Sequence, residues 1–138
     1  EEVSEAVLQR FKKMAWDDNS ALVRLYLASA LQRIEPARRW GVLEGLYSHA
    51  EDADDHNLPL MVWYAAEPMV EEDVDRALEL AMQAKLPNIL PYTIRRTGAA
   101  GSQQARKALK KVEQKLKSSS GSYKQARQEL DQLLGKAN

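Results

Sequence analysis

The chain has 138 residues, 44% of them hydrophobic and 29% charged, one domain's worth of ordinary soluble globular sequence. Twenty basic and twenty acidic residues cancel, so no overall charge points to nucleic acid or an anionic membrane. With no cysteine, the chain cannot form disulfides, thiolate zinc sites, cysteine nucleophiles or a Cys-x-x-Cys-His haem attachment. Val3, Val7, Leu8, Phe11, Met14 and Ala15 recur at helical spacing and predict a first helix over about 2–15. Asp17-Asp18-Asn19-Ser20 supplies a turn with several N-caps. Leu22 to Ile34 is apolar nearly all round, which predicts a buried second helix. Pro36 opens a third, marked by Trp40, Leu43, Leu46 and Tyr47 and ending near His49.

The polar loop Glu51-Asp52-Ala53-Asp54-Asp55-His56-Asn57 follows, and Pro59 starts a very apolar fourth helix that Pro68 should kink or shorten. Val74, Ala77, Leu78, Ala81 and Met82 give a fifth helix. A sixth is expected over about 87–96, interrupted by Pro91 and ended by Gly98 and Gly101. Ala105, Ala108, Leu109, Val112 and Leu116 mark a seventh helix, Ser118 to Ser122 a flexible break, and Tyr123 to Leu134 an eighth, ended at Gly135. Nothing alternates with period two, so no sheet is expected. No apolar run approaches the roughly 20 residues of a membrane span. No signal peptide is visible, and the start at Glu1-Glu2 reads as a segment of a longer protein.

The chain also repeats itself at an offset of 38 residues: Asp17, Asn19, Leu22, Tyr26 and Ala28 lie over Asp55, Asn57, Leu60, Tyr64 and Ala66. Such a period on helical sequence marks stacked helix pairs, because one pair cannot bury its own apolar face. The expected fold is therefore all-α, an α-α superhelix of about eight helices in four antiparallel pairs: 1 with 2, 3 with 4, 5 with 6, 7 with 8. Tyr26 and Tyr64 should occupy equivalent places, and Leu27, Ala30, Leu31, Leu60, Trp63, Leu78 and Ala81 should be buried. Charge divides the chain: from Ser102 on there are nine basic and three acidic residues (net +6), against 11 and 17 before it (net −6). This sets residues 1–101, the repeat core, apart from 102–138, a basic C-terminal helical pair acting as cap or tail.

Asp18-Asn19-Ser20-Ala21-Leu22-Val23-Arg24, followed by Ala28, Ala30 and Leu31, resembles the second helix of a HEAT repeat. More narrowly, DDNSALVRLYLASALQRI and EDADDHNLPLMVWYAAEPMV are similar to the HEAT-like segment of large exported haem-binding proteins of planctomycetes and verrucomicrobia. Those proteins join a β-propeller, a helical-repeat segment and a cytochrome c domain. The resemblance covers about Trp16 to Ala99, and Asp55 to Met61 with Trp63-Tyr64 carry it most specifically. It implies a HEAT/ARM-like solenoid, export to the periplasm, and an Arg24 paired with an acidic loop residue such as Asp17 or Asp55. The chain has neither the propeller nor the haem-attachment motif, so the resemblance puts no haem and no redox activity on this segment.

Asp52, Asp54, Asp55 and His56 are the best metal candidates, since carboxylates suit calcium or magnesium. The loop lacks the Gly and distal Glu of an EF-hand, and a helix cap in a solvated acidic turn is the favoured reading. His49 and His56 could act as acid or base, but no nucleophile motif accompanies them. Trp16, Trp40 and Trp63 are expected to pack between helices rather than form an aromatic recognition surface. Gly41 and Gly45 suit close helix approach. Arg38-Arg39, Arg95-Arg96 and the seventh helix's lysines could hold phosphates or an acidic partner, a solvated face being preferred. Arg24, Arg95 and Arg96 are the candidate binding-surface residues.

The expected function is a non-catalytic scaffold or protein-interaction module without cofactor, whose partners are proteins or neighbouring domains of its parent chain. The alternative is a HEAT-like nucleic-acid binder or base-processing enzyme, which the acidic first hundred residues disfavour.

Overall fold

The computed structural model describes residues 2–118 and 123–135. The fold is all-helical, with no strand among the described residues. Helices α1 (Glu5–Asp17), α2 (Ala21–Leu31) and α3 (Trp40–Tyr47) are followed by α4 (Leu58–Ala66), α5 (Met69–Glu72) and α6 (Val74–Gln83). Helices α7 (Ile89–Ala100), α8 (Gln103–Lys117) and α9 (Lys124–Leu133) complete the order, and short 3₁₀ turns cover Pro36–Arg38 and Ala50–Asp52.

Local chemistry sets most boundaries. Ser4, Ser20 and Ser102 each accept a hydrogen bond from the backbone N–H three residues on, at 3.3, 3.3 and 3.1 Å, and so cap α1, α2 and α8. Asp73 caps α6 through the Arg76 N–H at 3.1 Å. Gly101 takes φ 65° at the end of α7 and Gly135 takes φ 68° after α9, a left-handed geometry that side chains disfavour. Pro68 does shorten the fourth helix: α4 stops at Ala66, and the chain restarts as the one-turn α5, an element the periodicity did not foresee. Pro91 does not interrupt α7, because it lies in the first turn, where no intrahelical donor is required. The expected 118–122 break lies outside the described residues apart from Ser118, the C-cap of α8.

Contacts within the expected antiparallel pairs are present, but the heaviest packing runs between them. α1 lies on α3, α2 on α4, and α7 on α9, while α6 bridges α7 and α8. Glycine makes two of these approaches possible. A Cβ on Gly45 would sit 2.8 Å from the Ala15 Cβ and 3.0 Å from its carbonyl carbon, and one on Gly98 would strike the Leu133 side chain. A single apolar core runs from Leu8 through Leu31, Leu46, Val62, Leu78 and Ile94 to Leu116 and Leu130.

Residues 38 apart along α2 and along α4 and α5 share their burial. Arg24, Leu27, Ala28 and Leu31 are buried, and so are Val62, Ala65, Ala66 and Met69 at the equivalent positions. Tyr26 and Tyr64 are both exposed. Leu27, Leu31, Leu78 and Ala81 are buried as expected. Leu60 is exposed instead, and Ala30 and Trp63 are half-buried, because α2 and α4 turn one apolar stripe inward and a second one outward.

Candidate functional site

The outward stripe is the largest departure from a plain packed bundle. Leu22 and Tyr26 lie one helical turn apart on α2, with 59% and 67% of their surface exposed. Leu60 and Tyr64 repeat the arrangement on α4 at 44% and 48%. The residues flanking them, Val23 and Leu25 on one helix and Met61 and Trp63 on the other, are half-buried and pack against the core. The sequence predicts α2 as buried because it is apolar nearly all round, and places Leu60 and Trp63 of the very apolar α4 in the core. The surplus beyond the stripe needed for packing was the available signal for this face.

Beside α4 the stripe deepens into a groove of about 340 Å³ between α4 and α7. Leu60, Trp63, Tyr64, Tyr92 and Ala99 form its apolar lining, and Glu67, Arg95 and Arg96 its polar rim. The Trp63 and Tyr92 rings meet edge to face, 5.5 Å apart at 66°. The Arg95 guanidinium lies 5.5 Å from the Tyr92 ring centre and donates to Glu129 at 2.5 Å; this hydrogen bond pushes Arg95 above the usual arginine range. Arg96 reaches Glu67 at 3.6 Å and pairs closely with Glu71. Arg95 and Arg96 are thus brought to the site together.

Arg24 belongs elsewhere. It is 2% exposed, so the candidate binding-surface role does not fit it, and its partner is neither Asp17 nor Asp55. Its Nε and Nη2 donate to Asp52 at 2.6 and 2.7 Å, and Nη1 donates to the Asp18 carbonyl at 2.7 Å. The hydrogen bond to Asp52 is the main cause that raises the Arg24 pKa against the effect of burial.

The four metal candidates are consequently split. Asp52 is committed to Arg24. Asp55 accepts from the Asn57 and Leu58 backbone N–H groups at 2.8 Å each, which start α4 and hold its carboxyl below the usual range. Asp54 and His56 are exposed. Among the described residues no group of three or more His, Cys, Asp or Glu is gathered in a way that could hold a metal ion.

The remaining candidates take mainly structural positions. His49 Nε2 lies 2.6 Å from the Ala15 carbonyl and Nδ1 2.7 Å from Glu51, so the ring ties the end of α1 to the loop between α3 and α4. Trp40 is buried under Arg76, whose guanidinium carbon sits 4.5 Å from the ring centre; Trp16 is exposed. Arg38 faces Glu2 and Glu5 at 3.8 and 3.6 Å. Arg39 is buried and donates to the Ile34, Ala65 and Gln32 carbonyls at 2.7, 2.9 and 3.3 Å, and burial lowers its pKa. On α8, Lys111 and Lys115 each lie 3.8 Å from α6 carboxylates, Asp75 and Glu79, and Lys117 lies 3.0 Å from Glu113.

No helix is long and apolar enough to cross a membrane among the described residues. Comparison with family models, curated proteins and solved structures finds no match to the chain.

Proposed function

We propose that this chain is a non-catalytic helical-repeat module, an α-α superhelix of HEAT/ARM type that binds or spaces other domains, within a larger exported redox protein. The observation that carries the reading is the repetition of Leu22 and Tyr26 as Leu60 and Tyr64, all four facing outward. A lone exposed leucine is unremarkable, but an apolar patch duplicated in register with the repeat is the composition of a protein-binding face. The stacking order supports the same architecture: α1 on α3 and α2 on α4 keep the two members of each helix pair in separate layers. The link to an exported redox protein rests on the resemblance carried by Asp55 to Met61 with Trp63-Tyr64.

The alternative, a nucleic-acid binder or base-processing enzyme, needs an unneutralised basic groove. It is weakened by the pairing of Lys111 and Lys115 with Asp75 and Glu79.

The test compares amide hydrogen exchange in this chain alone and in the full-length gene product. Slower exchange across α2 and α4 in the longer polypeptide, with a Cys-x-x-Cys-His motif elsewhere in it, is the expected result. Unchanged exchange on that face and strong nucleic-acid binding at physiological salt would overturn the reading.

A further inference from the structure

We infer that the cleft where α7, α8 and α9 meet binds a small organic anion with an apolar body, in its simplest form an aliphatic monocarboxylate. The residues involved are neither those of the outward stripe nor those of the groove between α4 and α7, so the site is independent of the interaction-module reading.

The cleft measures about 330 Å³, inside the span of about 300–1,000 Å³ usual for small-molecule sites. Ala105 and Leu109 of α8, with Leu133 and Leu134 at the end of α9, give it an apolar lining. Gly98 of α7 faces them; a Cβ there would strike the Leu133 side chain, so glycine lets α9 close that side. Leu133 nevertheless keeps 38% of its surface exposed. An apolar body laid in the cleft covers surface that the fold leaves wet.

Arg106 and Lys110, one turn apart on α8, line the same cleft, and no carboxylate does. Three other lysines of that helix are answered: Lys111 and Lys115 by Asp75 and Glu79 at 3.8 Å each, and Lys117 by Glu113 at 3.0 Å. The side chains of Arg106 and Lys110 have no ion-pair or hydrogen-bond partner among the described residues. Like charges at i and i+4 disfavour a helix, and an anion between them turns that repulsion into attraction. The guanidinium fork of Arg106 matches the two oxygens of a carboxylate, and the Lys110 ammonium adds a point charge. The Thr97 hydroxyl, which also lines the cleft, is spent on the Thr93 carbonyl at 2.7 Å, so the head group depends on the two cations.

This combination selects against other anions. An inorganic ion would meet the cations and leave the leucines uncovered. A nucleic acid needs cations that continue along its backbone, and beyond Lys110 the lysines of α8 are already paired with α6 and with Glu113.

The experiment follows the methyl resonances of Leu109 and Leu133 in the full 138-residue chain during titration with octanoate, octanamide and acetate. Octanoate should shift both saturably, with a dissociation constant of about 1 mM or tighter. Octanamide, the same body without the charge, should bind about tenfold more weakly, the usual worth of a charge-assisted contact. Acetate, the head without the body, should shift neither at the same concentration. Arg106→Gln and Lys110→Gln should each weaken octanoate about tenfold and narrow its advantage over octanamide. Lys107→Gln, on the same helix but outside the cleft, should leave binding unchanged. Circular dichroism of each variant verifies folding. Unmoved methyls at about ten times the expected dissociation constant, equal binding of octanamide or acetate, or an equal loss in Lys107→Gln overturns the inference.

Discussion

Arg24 on α2 and Asp52 in the turn before α4 form a buried two-point ion pair, Nε to Oδ2 at 2.6 Å and Nη2 to Oδ1 at 2.7 Å, across 28 residues of chain. Removing one partner leaves an uncompensated buried charge. Asp52→Ala should therefore cost about 3–5 kcal/mol. The double variant Arg24→Met, Asp52→Leu should cost less than the sum of the single changes, because both charges leave together. Urea unfolding of the parent chain, the Arg24→Met and Asp52→Leu single variants and the double variant measures this, and strict additivity would contradict the pairing.

Gly45 and Gly41 lie on the same helix but should respond oppositely to alanine. The new methyl at Gly45 meets the Ala15 backbone and Cβ, which cannot yield, so about 1–3 kcal/mol should be lost. At Gly41 it meets the Lys12 side chain at 3.0 Å, whose methylenes can move aside. The better helix propensity of alanine then contributes up to about 1 kcal/mol of stability. Thermal unfolding of both variants decides it; a stabilised Gly45→Ala would refute the close approach of α1 and α3.

Leu31 and Leu60 separate the inner stripe from the outer one. Leu31 is fully buried, and Leu31→Ala should lose about 2–5 kcal/mol. Leu60 is exposed, and Leu60→Ala should stay within about 0.5 kcal/mol while weakening any partner that uses the groove. Equal losses in chemical denaturation would remove the outer stripe as a binding face.

Acid should destabilise the loop between α3 and α4. Asp55 is held low by the Asn57 and Leu58 N–H groups, and Glu51 by its own backbone N–H first and by His49 next. For both groups the folded carboxyl has the lower pKa, so falling pH protonates the unfolded chain first. Their stabilisation is complete above the unfolded carboxylate range, near about 4, and is lost as pH falls through the lower folded values. Melting temperatures measured from neutrality downward should drop less steeply in Asp55→Asn than in the parent chain.

Helices α8 and α9 should exchange their amides before α2 to α7. Toward the core α8 offers the small Ala105 and Ala108 as well as Leu109, Val112 and Leu116, and the buried contribution of α9 is Ala126 and Leu130. A terminal unit with fewer large side chains inward opens at lower free energy. Protection of these helices equal to that of Leu31 and Ile94 would exclude a merely capping role.

The sequence revealed the helical class and eight of the helices, because those properties follow from apolar spacing and local caps. It concealed the partner of Arg24, since four acids crowd one loop and only the path of the 3₁₀ turn Ala50–Asp52 selects Asp52. It concealed the groove for a different reason: hydrophobicity around a whole helix does not say which side a neighbour covers. Arg39 reads as half of a basic pair, and its burial against three carbonyls depends on how α2 and α4 end beside each other.

That same Arg39 also has a mechanical consequence. Its guanidinium gathers carbonyls just past the end of α2, at Gln32 and Ile34, and from the last turn of α4, at Ala65. Near the other end of the two helices, Arg24 joins Asp18 to Asp52. The two rods are thus riveted at both extremities. Sliding one rod along the other would have to break several of these hydrogen bonds together. The separation of Tyr26 on one rod from Tyr64 on the other is held by the same two clamps.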